Sequence, residues 1–202
     1  MMEGRYRGEP PDCDEAVRFL IHAGADVNAP GSGKRTPLAY AIAFNNVGAA
    51  SQLLKAGANP DSVDLVETSA LLLTLKQYAD ERYVHSLGRV PIFGPALPMI
   101  RLLLENHANP NVVAEGRYDE YNDARTIGYL AGYTPLTLAA RHGWLDVAKL
   151  LLHHGADPAL PRSDGLTAVV IAERYGHLQT ASLIANYLRP SPANEVLYEY
   201  AP

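Results

Sequence analysis

One cysteine, Cys13, stands in the 202 residues of this chain. Neither an internal disulfide nor a cysteine-based zinc site can therefore form. No apolar run approaches the roughly 18 residues of a membrane span, and the opening MMEGRYRGEPPDCD has no apolar signal region. There is no excess of positive charge: the formal net charge is −5, which argues against a nucleic-acid or anionic-membrane surface. A phosphate-binding loop is lacking too. The stretch Pro30-Gly31-Ser32-Gly33-Lys34-Arg35-Thr36 comes near one, but the glycine needed five places before Gly33 is Asn28. The adjacent His153 and His154 do not share a helix face, so they offer no pair of metal ligands. No nucleophile–base pairing or carboxylate spacing of a catalytic kind is present. The sequence reading expects no enzyme, no cofactor and no metal.

What the chain does have is a phrase that returns four times: RFLIHAGADVN (18–28), QLLKAGANPD (52–61), RLLLENHANPN (101–111) and KLLLHHGADP (149–158). A second phrase accompanies it: TPLAYA (36–41), TSALLL (68–73), TPLTLA (134–139) and TAVVIA (167–172). Thr36 and Thr134 can accept from the orphan amides of a first helical turn, and Pro37 and Pro135 sit where a missing N–H costs nothing. Leu136, Leu138 and Ala139, then Val147, Leu150 and Leu151, follow a helical period, and Gly143 separates the two helices. Gly24, Gly57 and Gly155 stand where a helix ends in a left-handed residue. A pair of short helices cannot bury its apolar faces alone, so the copies must stack.

Thr36 to Gly57 and Thr134 to Gly155 are both 21 residues, and Gly24 to Thr36 and Gly155 to Thr167 are both 12, giving a period of 33. With TPL at a helix start and GAD at a helix end, that period resembles the ankyrin repeat family. The resemblance covers roughly residues 14–188, and Gly132–Asp164 follows the family pattern almost throughout. It implies an all-α fold, an ankyrin-repeat α-solenoid of helix–turn–helix stacks with β-hairpin-like fingers. The expected layout is an extension or cap at 1–13, a single ankyrin-repeat domain at 14–190 and a tail at 191–202. Within the domain, the second helix of repeat 1 falls at 14–24 and repeat 2 at about 34–64. Repeat 3 spans about 66–112 with an insertion at 76–97; a finger insertion at 113–131, repeat 4 at 132–164 and repeat 5 at 165–188 follow. The array thus begins mid-repeat: either residues 1–13 cap its first edge or the chain continues a longer protein. At the far end Val196, Leu197, Tyr198 and Tyr200 can fold back as a cap or form a recognition segment.

The departures from the period are individual to this chain. Counted from Thr68, the third repeat carries 18 extra residues before His107. Its first helix is expected to lengthen through Leu75, Ala79, Tyr83 and Leu87 and stop at Gly88. Pro91, Pro95 and Pro98 then make a stiff loop, with Ile92 and Phe93 packing on the solenoid edge. His107 takes the place of the turn glycine, at a cost on the order of 1 kcal/mol if φ is positive. The family's TPLH histidine is replaced by Ala39, Leu71, Thr137 and Val170. Between Val112 and Thr134 the spacing is 15 residues longer than the pattern needs, and the stretch VAEGRYDEYNDARTIGYLA (113–131) occupies the connection that forms a finger in proteins of this kind.

Tyrosine and arginine are enriched in interface hot spots, so this insertion is the expected contact surface. Its candidates are Arg117, Tyr118, Tyr121, Arg125 and Tyr129, with Tyr133, Trp144 and Arg162 beside it. The resemblance implies a non-catalytic module that binds another protein through its concave finger and inner-helix face, as inhibitor, adaptor or toxin-neutralising partner. No nucleic-acid or membrane partner is expected, and the free chain is expected to be a cytoplasmic monomer. The alternative is a small-molecule or enzymatic site between the two insertions, built from residues such as Tyr83, His85, Asp119 and Tyr121.

Overall fold

Several helix starts among the described residues follow a residue whose side chain closes the first turn. A computed structural model describes residues 13–31, 34–62, 69–79, 97–114 and 131–188. Thr36 and Thr134 accept from the amides of Ala39 (3.3 Å) and Thr137 (3.1 Å), opening α2 (Pro37–Ala43) and α6 (Pro135–His142). Asn46 does the same for Ala49 (2.9 Å) at the head of α3 (Val47–Lys55). The remaining helices among the described residues are α1 (Cys13–His22), α4 (Ala70–Ala79), α5 (Leu97–Glu105), α7 (Leu145–His153), α8 (Ala168–Arg174) and α9 (Leu178–Leu188).

These helices stack in two rows. The inner row runs α2, α4, α6, α8 and the outer row α1, α3, α5, α7, α9, each helix against the next in its row. Leu38, Leu71, Leu75, Leu103, Leu136 and Leu151 are fully buried between the rows in one continuous core. Each such side chain contributes roughly 1.5–3 kcal/mol over its exposed state. Among the described residues the outer row starts one helix earlier than the inner row. Tyr40 on α2 is exposed, where Leu138 and Ile171 at the same register of α6 and α8 are buried.

Three details differ from the sequence reading. The hydroxyl that opens α4 is that of Ser69, which accepts from Leu72 N–H (3.4 Å) and stands 33 residues after Thr36. The one-residue slip arose because Thr68 mimics the TPL phrase; the third repeat then has 17 extra residues, 38 against 21 from cap to His107. Leu72, not Leu71, then takes the position of the family histidine. Pro98 lies in the first turn of α5 and not in the loop before it, since a proline there loses no helical hydrogen bond. In repeat 4 the absent histidine is replaced functionally by Thr137. Its hydroxyl accepts from Thr134 N–H (2.7 Å) and donates to Thr134 C=O (2.9 Å), completing a reciprocal cap. The expected extension of α4 through Tyr83 and Leu87, with Gly88, Pro91, Ile92, Phe93 and Pro95, lies outside the described residues. So does the small-molecule set Tyr83, His85, Asp119 and Tyr121.

Between successive turns runs a ladder that the repeated phrase did not announce. At three of the four turns the residue four places after the left-handed position reaches to the following turn. Asn28 accepts from Asn59 N–H (2.8 Å) and donates to Gly57 C=O (3.1 Å). Asn111 accepts from Asp157 N–H (2.8 Å) and donates to Gly155 C=O (3.0 Å). At the middle rung Asp61 accepts from Asn109 N–H (2.8 Å), but a carboxylate has no proton to donate to the carbonyl of His107. The fourth equivalent is Ala159, whose side chain makes no rung. His107 adopts φ 66°, beside 82°, 91° and 85° for Gly24, Gly57 and Gly155.

Candidate functional site

The fingers are closed at their bases by one or two backbone hydrogen bonds. Gly31 N–H donates to Arg35 C=O (2.8 Å) and Arg162 N–H to Leu166 C=O (2.8 Å), each pair enclosing three residues. Ala114 N–H donates to Tyr133 C=O (2.9 Å) and Gly132 N–H to Ala114 C=O (2.8 Å). Arg35, Tyr133 and Leu166 each directly precede the threonine at the N-cap position of an inner helix, so the three pairs are equivalent. The extra residues therefore lie, in sequence, between the two sides of a finger base that is intact. Arg117, Tyr118, Tyr121, Arg125 and Tyr129 lie in that stretch, outside the described residues.

Gly132 is held at φ 76°, and Ser163 N–H of the next finger donates to its carbonyl (3.2 Å). A β-carbon here would collide with the Ser163 hydroxyl. Adjacent fingers thus meet at the root of the insertion, and only glycine fits between them.

Tyr133 is 2% exposed. It has almost no surface to offer a partner, and its part is to position others. Its hydroxyl accepts from Arg141 Nη1 (3.0 Å) and from Arg162 Nη1. The Arg162 guanidinium lies 4.5 Å from the ring centre, and that of Arg141 lies 5.5 Å from it and 5.6 Å from the ring of Tyr175. These are cation–π distances. Arg162 also pairs with Asp164. The hydrogen bond from Arg162 holds the Asp164 carboxyl below its ordinary range, and the same bond raises Arg162.

Trp144 stands beyond the other end of α6, half-buried. It stacks on His142 with ring centres 4.6 Å apart and planes at 15°. Burial, then the charge of Arg141 and that of His177, pushes the His142 imidazole down to about 4. His177 Nε2 lies 3.1 Å from Arg141 C=O, so the turn that carries Trp144 is tied to the next repeat.

Of the sequence candidates that are described, Tyr133 and Arg162 come together, and Trp144 lies about two helical turns away. Arg141 and Tyr175 were not anticipated, although the spacing of Tyr133, Thr137 and Arg141 along one helix face carried the signal. Lys76, Arg141 and Arg174 occupy the same register of α4, α6 and α8, a basic column along the inner row. Among the described residues, no three His, Cys, Asp or Glu gather as a metal site, and no helix is long and apolar enough to cross a membrane.

Comparison with known proteins matches two family models. Residues 92–191 match "Ankyrin repeats (3 copies)" and residues 11–54 match "Ankyrin repeats (many copies)". The chain is 28% identical over 201 residues to Protein glp-1 of Caenorhabditis elegans, with 91% of this chain and 15% of that protein covered. It is 27% identical over 180 residues to Ankyrin repeat protein nuc-2 of Neurospora crassa, with 80% and 15% covered. A shorter match, 38% over 61 residues, joins 30% of the chain to 6% of the Espin-like protein of Homo sapiens. The chain thus spans no more than 15% of the length of these relatives. Its 33-residue period, its two rows of helices and both family matches agree that this chain belongs to the ankyrin repeat family.

Proposed function

We propose that this chain binds a partner protein on the face formed by its fingers and inner helices, centred on the root of the fourth-repeat finger. One observation carries the reading. Extra sequence rich in Tyr and Arg separates Ala114 from Tyr133, the two sides of a closed finger base, and that base adjoins a cluster in which two arginines converge on one phenol. Arg117, Tyr118, Tyr121, Arg125 and Tyr129 are the proposed contacts within the insertion, with Arg162 and Trp144 beside it. Tyr133 holds Arg162 and Arg141 in place from below. Ordered arginines and aromatic rings contact a partner at low entropic cost. Ankyrin arrays generally act as protein-interaction modules, and the work proposed here is that of an inhibitor, adaptor or toxin-neutralising partner.

The test exploits the equivalence of the finger bases. Residues 115–132 are replaced by Ser-Asp-Gly, the three residues that join Arg162 to Leu166, and intact and shortened proteins serve as baits in parallel pull-downs. Loss of specific partners from the shortened bait, with its circular dichroism unchanged, is the expected result. An unchanged partner set with the fold intact overturns the insertion as the binding element. Arg162→Ala in the full chain is expected to weaken the same capture about tenfold or more, the effect of losing one hot-spot side chain.

A further inference from the structure

The sign of charge sorts by face. Among the described residues the inner helices and the fingers carry six basic side chains, Lys34, Arg35, Lys76, Arg141, Arg162 and Arg174, against the acidic Asp164 and Glu173. The outer helices and the turns after them carry seven acidic and four basic ones. A chain of formal net charge −5 nonetheless presents a basic inner face, and such a field draws and orients acidic partners. The cations are also regularly spaced. Lys76, Arg141 and Arg174 share one register of α4, α6 and α8, which pack side by side, and packed neighbouring helices lie about 8–10 Å apart. At the middle of this column the Tyr133 hydroxyl accepts from Nη1 of both Arg141 and Arg162, so one phenol holds two guanidinium groups together. Asp164, which pairs with Arg162, balances one of the two charges, and like charges this close favour a further anion beside them. The ring of Tyr175, 50% exposed, lies against Arg141 and adds a flat apolar surface.

We infer that the partner offers this face an extended acidic segment, with carboxylates at every third residue that meet Lys76, Arg141 and Arg174 in turn. The inference rests on the reading of the fingers and inner helices as the binding face, and it adds the chemistry of what binds there. A chain in polyproline II geometry has three residues per turn and rises about 3.1 Å per residue, so every third side chain points the same way, about 9 Å apart. That repeat matches the spacing of the helices. A β-strand, whose like-facing side chains recur at about 7 Å, falls out of register with the column. The middle carboxylate is held most firmly, because Arg162 lies beside Arg141 on the same phenol and charge-assisted hydrogen bonds to guanidinium are the stronger kind. Residues between the carboxylates lie over Tyr175. A nucleic acid fits poorly, since a duplex carries one charge per about 1.7 Å of its axis and the outer row is acidic.

Fluorescence anisotropy on the full chain tests the proposal, with a labelled peptide of four Glu-Pro-Pro units whose prolines hold the extended geometry. Saturable binding that weakens as salt rises is expected. It is expected to weaken about fivefold or more in Arg141→Gln and in Arg174→Gln, and to be unchanged in Lys149→Gln on the outer row. Arg174 is exposed, so its replacement leaves the packed core untouched. No binding of the peptide, or equal binding of four Lys-Pro-Pro units, overturns the acidic segment. Equal binding of a peptide of the same composition with its four glutamates contiguous overturns the three-residue spacing. Binding that appears only after residues 115–132 are replaced by Ser-Asp-Gly assigns the column to the chain's own insertion and overturns an outside partner there. Tighter binding of a single-stranded DNA dodecamer assigns the column to nucleic acid and overturns the proposal. A peptide that fails to bind, beside a pull-down that still loses its partners on shortening, strikes the acidic class alone; the unchanged partner set described above strikes the binding face itself.

Discussion

Replacing His107 by glycine is expected to stabilise the fold, and the four equivalent turns show by how much. The backbone at His107 matches that at Gly57. His107 N–H donates to Leu104 C=O and Ala108 N–H to Leu103 C=O, both at 3.0 Å; Gly57 donates to Leu54 and Ala58 to Leu53, at 3.0 and 2.9 Å. The φ values are 66° and 91°. With the hydrogen bonds unchanged, the substitution isolates the cost of holding a β-carbon in a left-handed residue, about 1–2 kcal/mol. Glycine's greater freedom in the unfolded chain takes back about 0.5–1 kcal/mol. The net gain is then about 0.5–1 kcal/mol. For a chain of this size, with a urea dependence of about 2 kcal/mol per molar, the midpoint rises by about 0.3–0.5 M. Urea titration followed by circular dichroism measures it. The reciprocal change, Gly155→Ala, places a β-carbon in open space at φ 85° and is expected to lower the midpoint by about the same amount. A midpoint for His107→Gly that is unchanged or lower refutes the reasoning.

Asp61→Asn gives the middle rung of the ladder the donor that Asn28 and Asn111 already have, and is expected to add about 0.5 kcal/mol in the same titration. Gly176→Ala meets only the cost of φ 78°, with nothing within 4 Å of the new carbon, whereas a β-carbon at Gly143 would also lie 2.5 Å from Nδ1 of His177. The first should cost about 1 kcal/mol, and Gly143→Ala should exceed it by about 1 kcal/mol or more. Stability is also expected to depend on pH through His142. Its folded-state value of about 4 lies below the ordinary 6.5, so above pH 6.5 the ring is neutral in both states and contributes no slope. Between pH 6.5 and 4 the unfolded chain takes up a proton that the folded chain refuses, and stability falls as pH falls. The full shift corresponds to about 3 kcal/mol, and the ring's partial exposure reduces it to about 1 kcal/mol. His142→Gln should flatten that stretch of a stability–pH curve; an unchanged slope refutes the assignment.

The candidate site was legible in part. Tyr133 and Arg162 could be picked out because they flank an interrupted finger, but their mutual contact spans 29 residues and no local pattern encodes it. Nothing in the local sequence singles out Arg141 taken alone. Its role appears only when its guanidinium is seen to bridge Tyr133 and Tyr175. Thr68 was mistaken for the third cap because a one-residue phase error costs nothing in a string of leucines. Packing decides it, since Leu71 and Leu75 must occupy the buried registers of Leu38 and Ile42.

By itself the sequence determined the helices, their turns, the 33-residue period and the two places where that period breaks. Those features rest on caps, helical spacing and glycine conformations, all of which act within a few residues. Tertiary structure alone decided which turns are tied to one another. The rungs from Asn28, Asp61 and Asn111 join residues 29 to 48 apart, and a depression between Glu173 and Ala185 is lined jointly by α8 and α9. The physical reason is the same in each case. A hydrogen bond between repeats or a depression between helices depends on the distance between two surfaces, and that distance is fixed only when the elements pack.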